Sequence, residues 1–177
     1  GEMAQAFNDM ASRLENQFDE LEALASIDRN IIEHRALDAI LGQVASRLAW
    51  LTQGGTVAIG RLTGDGLGPA VCLVLRSGET GVTRHLLNVD RATMTRWFDA
   101  GAVPQPEHVE RWPSELRELQ LGSHAKLRLL PLVTHNHCLG FLAIGCAAAS
   151  PLGESELRHV TELRNRAAVA VSAADRE

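Results

Sequence analysis

Apolar residues in the first third of the chain recur at Met3, Phe7, Met10, Leu14, Leu21, Leu24 and Ile31. Their spacings of four, three, four, seven, three and seven residues make a heptad seam, with Gln17 and Asp28 at its polar positions. No proline interrupts residues 1–51, and Asp9, Arg13, Glu15, Asp19, Glu20 and Glu22 fill the other faces. The pattern predicts a long helix whose narrow stripe needs an outside partner. A parallel coiled coil with a second copy is the simplest cover, and an amphipathic helix lying on its own domain is the alternative.

The pattern shifts near 33–36. Leu37, Ile40, Leu41, Val44, Leu48 and Leu51 then form a broader apolar face, suited to packing on a sheet. Gln53-Gly54-Gly55 stops that helix. Strands are expected at Thr56–Leu62, Ala70–Arg76 and Val82–Val89, separated by Gly64-Asp65-Gly66, Gly68-Pro69 and Ser77-Gly78. Short helices are expected at Ala92–Ala100 and Pro113–Leu121, with Pro113 in the first turn of the latter. A strand pair, Lys126–Thr134 and Cys138–Cys146, turns through His135-Asn136-His137, and Pro131 marks an edge position or a bulge. A last helix runs from Glu154 to about Ala173, striped by Leu157, Val160, Leu163, Ala167 and Val171. Hairpin-length loops imply a mostly antiparallel sheet, terminal helices on one face, and the long connection across the other, over a small cavity.

With 177 residues, 45% of them apolar and 22% charged, the chain suits one globular domain of ordinary size, or one domain plus an appendage. A net charge of −5 argues against an electrostatic grip on nucleic acid, and 4% aromatic residues against a stacking site for bases or sugars. Cys72, Cys138 and Cys146 are odd in number and form no C-x-x-C pair, which points to a reducing compartment. The apolar run 138–149 is too short to span a bilayer, and no signal peptide opens the chain.

From about Leu24 onward this order of elements resembles a GAF domain. The stretch Leu129-Leu130-Pro131-Leu132-Val133, the turn 135–137, and Leu139-Gly140-Phe141-Leu142-Ala143-Ile144-Gly145 look like the family's ending. The resemblance implies an α+β fold: a five- to six-stranded antiparallel sheet with terminal helices on one face and a ligand pocket on the other. Gly1-Glu2-Met3-Ala4-Gln5-Ala6-Phe7-Asn8-Asp9-Met10 resembles the last helix of a HAMP domain. Residues 1–23 are therefore read as the end of a HAMP signalling helix and 24–177 as the GAF domain. Leu24-Ala25-Ser26-Ile27-Asp28-Arg29-Asn30-Ile31-Ile32 resembles the entry to GAF domains of sensors with GGDEF and EAL outputs, and histidine kinases have similar entries. The resemblance implies a regulatory module, not itself an enzyme, on the cytoplasmic side of an inner-membrane protein. It would relay helix displacements, through two registers or rotations of similar free energy, to a cyclic-di-GMP output or a kinase. A ligand-free dimerisation spacer is the remaining reading of the same kind. The expected dimer seam is Phe7, Met10, Leu14, Leu21, Leu24 and Ile31.

No cofactor is required by this reading, and the ligand is unknown. Trp97, Phe98 and Trp112 flank the long connection and either wall a ligand pocket, together with His124, or form a small core beneath a loop. His85 is the other histidine expected near that face. His135-Asn136-His137-Cys138 is the most metal-like cluster, but it falls at a turn without a fourth ligand, so no metal is assigned. The cyclic-nucleotide motif of GAF domains has no match, and the cysteines are poorly placed for a covalent bilin. No nucleophile–base–orienter set is present. A methionine-sulfoxide reductase of GAF type would need reactive thiols, whereas Cys72 and Cys146 fall within apolar strands.

Overall fold

The computed structural model of the chain describes residues 1–32, 37–99, 113–121, 126–135, 137–146 and 153–175. Its elements are α1 (Glu2–Ile32), α2 (Leu37–Leu51), β1 (Thr56–Arg61), β2 (Ala70–Leu75), β3 (Thr83–Leu87) and α3 (Arg91–Asp99). A 3₁₀ helix (Ser114–Leu119), β4 (Lys126–Thr134), β5 (His137–Cys146) and α4 (Glu154–Asp175) follow.

The breaks follow local chemistry. At the end of α2 the chain turns left-handed at Gln53 and Gly54, and the Gly54 N–H donates to the Ala49 carbonyl. Thr52 returns its hydroxyl to the Leu48 carbonyl at 2.8 Å, which allows a polar residue to be buried there. Between β1 and β2, the Asp65 carboxylate accepts the Leu67 N–H, and Gly64 and Gly66 supply positive φ. Asp90 caps α3 by accepting from both the N–H and the hydroxyl of Thr93, each at 2.8 Å. The segment read as a helix at Pro113–Leu121 is a 3₁₀ helix in which Pro113 is the N-cap, and Gln120 ends it in the left-handed region.

The five strands form one antiparallel sheet in the order β3-β2-β1-β5-β4. Pro131 lies on the edge strand β4, and the register shifts next to it, between Leu132 and Val133. Both tolerances for a strand proline are thus in use. Where β4 turns into β5, Thr134 pairs with His137, and His135 takes a positive φ of 50°.

Strand alternation divides the core into two layers. Val57, Ile59, Leu73, Leu75, Leu130, Leu132, Leu142 and Ile144 face α2 and α4, which cover one side. Ala58, Cys72, Val74, Leu129, Phe141 and Ala143 face α3 and the 3₁₀ helix on the other. Both terminal helices therefore cover one face of the sheet, the arrangement expected from their stripes.

Among the described residues expected in the apolar seam, one turns inward. Leu24 is buried with Ile27 in the core of its own chain, not on the outward stripe. The reason is the mismatch between a strict seven-residue repeat and a straight helix, which drifts by roughly 20° per heptad. By residue 24 the heptad position has rotated onto the face that docks on α2 and α4.

Candidate functional site

Two surfaces were singled out by the sequence. The first is the sheet face beneath the long connection. There α3 presents Met94 fully buried, with Trp97 and Phe98 half-buried against the same cluster. Trp97 stands edge-on to Phe141, with ring centroids 5.5 Å apart, and edge-on to Phe98 at 6.4 Å. Leu116 and Leu119 of the 3₁₀ helix complete the cluster. Trp112 and His124 lie outside the described residues. His85 sits on the edge strand β3, opposite Cys72, with its Nε2 2.9 Å from the Thr83 hydroxyl.

The cysteines near this face are poor nucleophiles. Burial pushes the Cys72 thiol up to about 12. Cys138 is also raised, chiefly by burial, with a Gly140 backbone hydrogen bond and the nearby Arg91 acting in the opposite direction. Among the described residues no three His, Cys, Asp or Glu side chains converge as a metal site.

The second surface is α1. Residues 1–19 are exposed on every side. Met3, Phe7, Met10, Leu14, Phe18 and Leu21 are each between 54% and 89% exposed and lie along one stripe. Phe18 was not in the expected seam, which placed Gln17 there. Its signal was present: Phe18 follows Leu14 by four residues and precedes Leu21 by three. The stripe points roughly a third of a turn away from the docking face formed by Glu20, Ala23, Leu24 and Ile27. The Ile31 side chain lies outside the described residues. Residues 1–23 carry six carboxylates against the single guanidinium of Arg13, so the whole net charge of −5 resides on this segment.

The helical layer also contains a groove of about 590 Å³, walled by Ala23 and Ile27 of α1 and floored by the outer face of α2, with Val82 at its rim. Arg47 lies over the ring of half-exposed Trp50 there, 4.2 Å from the centroid.

No protein-family model matches the chain, and no curated protein does. Among solved structures it is similar to a segment of a methyl-accepting chemotaxis protein, with 14% identity and a TM-score of 0.63 over 85% of this chain and 94% of that one. It is similar to the GAF domain of a phosphoenolpyruvate-protein phosphotransferase from Coxiella burnetii, with 18% identity and a TM-score of 0.60 over 90% and 96% of the two chains. A phycoerythrobilin-bound GAF domain from a cyanobacterial phytochrome matches with 13% identity and a TM-score of 0.55 over 88% and 95%. At these identities the likeness shows the fold alone: the chain has a GAF-like α+β fold with a long N-terminal helix. Among the described residues no helix is long and apolar enough to cross a membrane.

Proposed function

We propose that this chain is a sensory and signal-relay module of a bacterial signalling protein, working as a homodimer through its N-terminal helices. The observation that carries the reading is the stripe of six large apolar side chains on α1, which nothing in the chain covers among the described residues. A parallel pair of α1 helices would bury that stripe and set the two GAF-type domains side by side. The GAF-type structural neighbours support a regulatory, non-catalytic role, and a methyl-accepting chemotaxis protein is among the matches.

The resemblance of residues 1–10 to a HAMP helix supports a parent protein anchored in the inner membrane, with this module on its cytoplasmic side. The resemblance of 24–32 to the entries of GGDEF and EAL sensors supports a cyclic-di-GMP output, with a histidine kinase as the second reading. Bilin-bound neighbours make a ligand on the α3 side of the sheet a reasonable expectation, and its identity is open. Native mass spectrometry of the purified chain tests the dimer. Wild type should be dimeric and Leu14→Asp monomeric, because a carboxylate in the middle of an apolar seam is left without a partner. Equal masses for the two would overturn the reading. Extra non-covalent mass would reveal a ligand.

A further inference from the structure

Glu20 is the first residue of α1, counted from its N-terminus, that the domain partly covers. Its two carboxylate oxygens address two different helices. Oε2 lies 2.8 Å from Nε2 of His159 on α4, and Oε1 lies 4.0 Å from a terminal nitrogen of Arg47 on α2. All three side chains are mostly buried. That Arg47 nitrogen is buried and has no hydrogen-bond partner among the described residues. Among the described residues, Glu162, 3.8 Å from Nδ1 of His159, and the Trp50 ring beneath Arg47 also face this junction.

The neighbouring contacts of α1, through Leu24 and Ile27, are apolar. Apolar contact is non-directional and tolerates rotation of a helix about its axis. A charge-assisted hydrogen bond does not. At a helix radius of roughly 5–6 Å, a rotation of about 30° carries a side-chain end by about 3 Å. Such a turn would break the bond to His159, and in one sense it would bring the carboxylate onto Arg47.

We propose that Glu20 is a two-seat key that couples the rotation of α1 directly to α4. In the seat seen here the carboxylate holds α4 through His159. In the second seat it would close the 4.0 Å gap to Arg47 and release α4. Movement of the N-terminal helix thus reaches the C-terminal helix without passing through the sheet. The signalling meaning of this key rests on the relay function proposed above, but the key itself belongs to a single folded chain.

Hydrogen exchange read by mass spectrometry, on Glu20→Gln, His159→Gln, Arg47→Gln and the double variant H159Q/R47Q, tests it. With either seat lost, the other retains the carboxylate, so each seat variant alone should speed exchange in residues 20–27 by less than about twofold. The double variant and Glu20→Gln should speed it by about fivefold or more, a non-additive pattern that independent contacts do not produce. Exchange in residues 157–163 of α4 should rise in Glu20→Gln and His159→Gln but not in Arg47→Gln. Additive effects at α1, or an α4 indifferent to Glu20→Gln, would overturn the proposal. Thermal melts of each variant confirm that the fold is kept. A chain found to be monomeric can still pass this test, so its failure is distinguishable from failure of the dimer.

Discussion

The ring of Phe141 on β5 occupies the space that a side chain on Gly60 of β1 would need. The two residues are register partners in the centre of the sheet, and a Cβ built on Gly60 would run into the ring. Phe141 is fully buried and carries Trp97 on its other side. A glycine in a central strand is normally a weakness, and here it creates the site for the largest side chain of the α3-side core. Gly60→Ala should destabilise the chain by about 1–3 kcal/mol, the range for overpacking a tight core. Urea unfolding measures the loss. A shift in tryptophan emission should accompany it, because Trp97 must follow the displaced ring.

The acidic charge on α1 makes a prediction about salt. Two parallel copies of residues 1–23 bring ten net negative charges together, five from each. Raising sodium chloride from about 50 mM to about 500 mM shortens the screening length and should tighten the dimer by about tenfold or more. Sedimentation equilibrium at the two salt concentrations checks this. Weaker association at high salt would mean that attractive ion pairs, not the apolar stripe, hold the copies together.

Phe18 decides the register of that interface. In a strict heptad the seam position is Gln17, so Gln17→Leu should strengthen the dimer. If the stripe instead runs Leu14, Phe18, Leu21, as the exposed side chains do, Gln17→Leu should be neutral. Phe18→Ala should then weaken the dimer by about 1–2 kcal/mol, or roughly tenfold in Kd. We expect the second pattern in the same sedimentation assay.

The thiols should be inert. With the Cys72 thiol pushed up to about 12 by burial and Cys138 raised by the same cause, both are protonated at ordinary pH. An aromatic disulfide reagent at about pH 8 should leave Cys72 unreacted in the native chain and label it only after unfolding. Rapid native labelling of both would revive the reductase reading.

Asp90 gives a pH dependence with a definite sign. Its pKa is lowered, first by the Thr93 N–H and next by the Thr93 hydroxyl, which bond the ionised form. A depressed carboxylate contributes stability above its unfolded value and loses it as pH falls through the folded value. Asp90→Ala should therefore melt below wild type at neutral pH, and the gap should close as pH falls below the ordinary Asp range. Asp90→Asn, which keeps a capping oxygen, should melt above Asp90→Ala. Melts followed by circular dichroism at both pH values decide between these outcomes.

Much of the fold could be read before the structure. The strand limits fell within one or two residues because Gly64-Asp65-Gly66, Ser77-Gly78 and Pro131 act locally, on the backbone of the residues that carry them. The helical stripes of α2 and α4 were legible for the same reason. The candidate site was less legible. Trp97 and Phe98 were visible as aromatic residues near the long connection, but the edge-on contact of Trp97 with Phe141 depends on a strand over forty residues away. A strict heptad points to Gln17, not Phe18, because a straight helix drifts away from a seven-residue repeat.

Residue pattern alone dictates the set of elements, their two-sided burial and the presence of an outward apolar stripe on the first helix. Each follows from periodicities of two and about three and a half residues, which need no distant contact. The tertiary structure alone decided the strand order β3-β2-β1-β5-β4 and the inward turn of Leu24. It also brought Glu20, Arg47 and His159 from three separate helices to one junction. Those outcomes depend on how helices and sheet close on one another, and a single side chain reveals its partner only once that closure has set the distance between them.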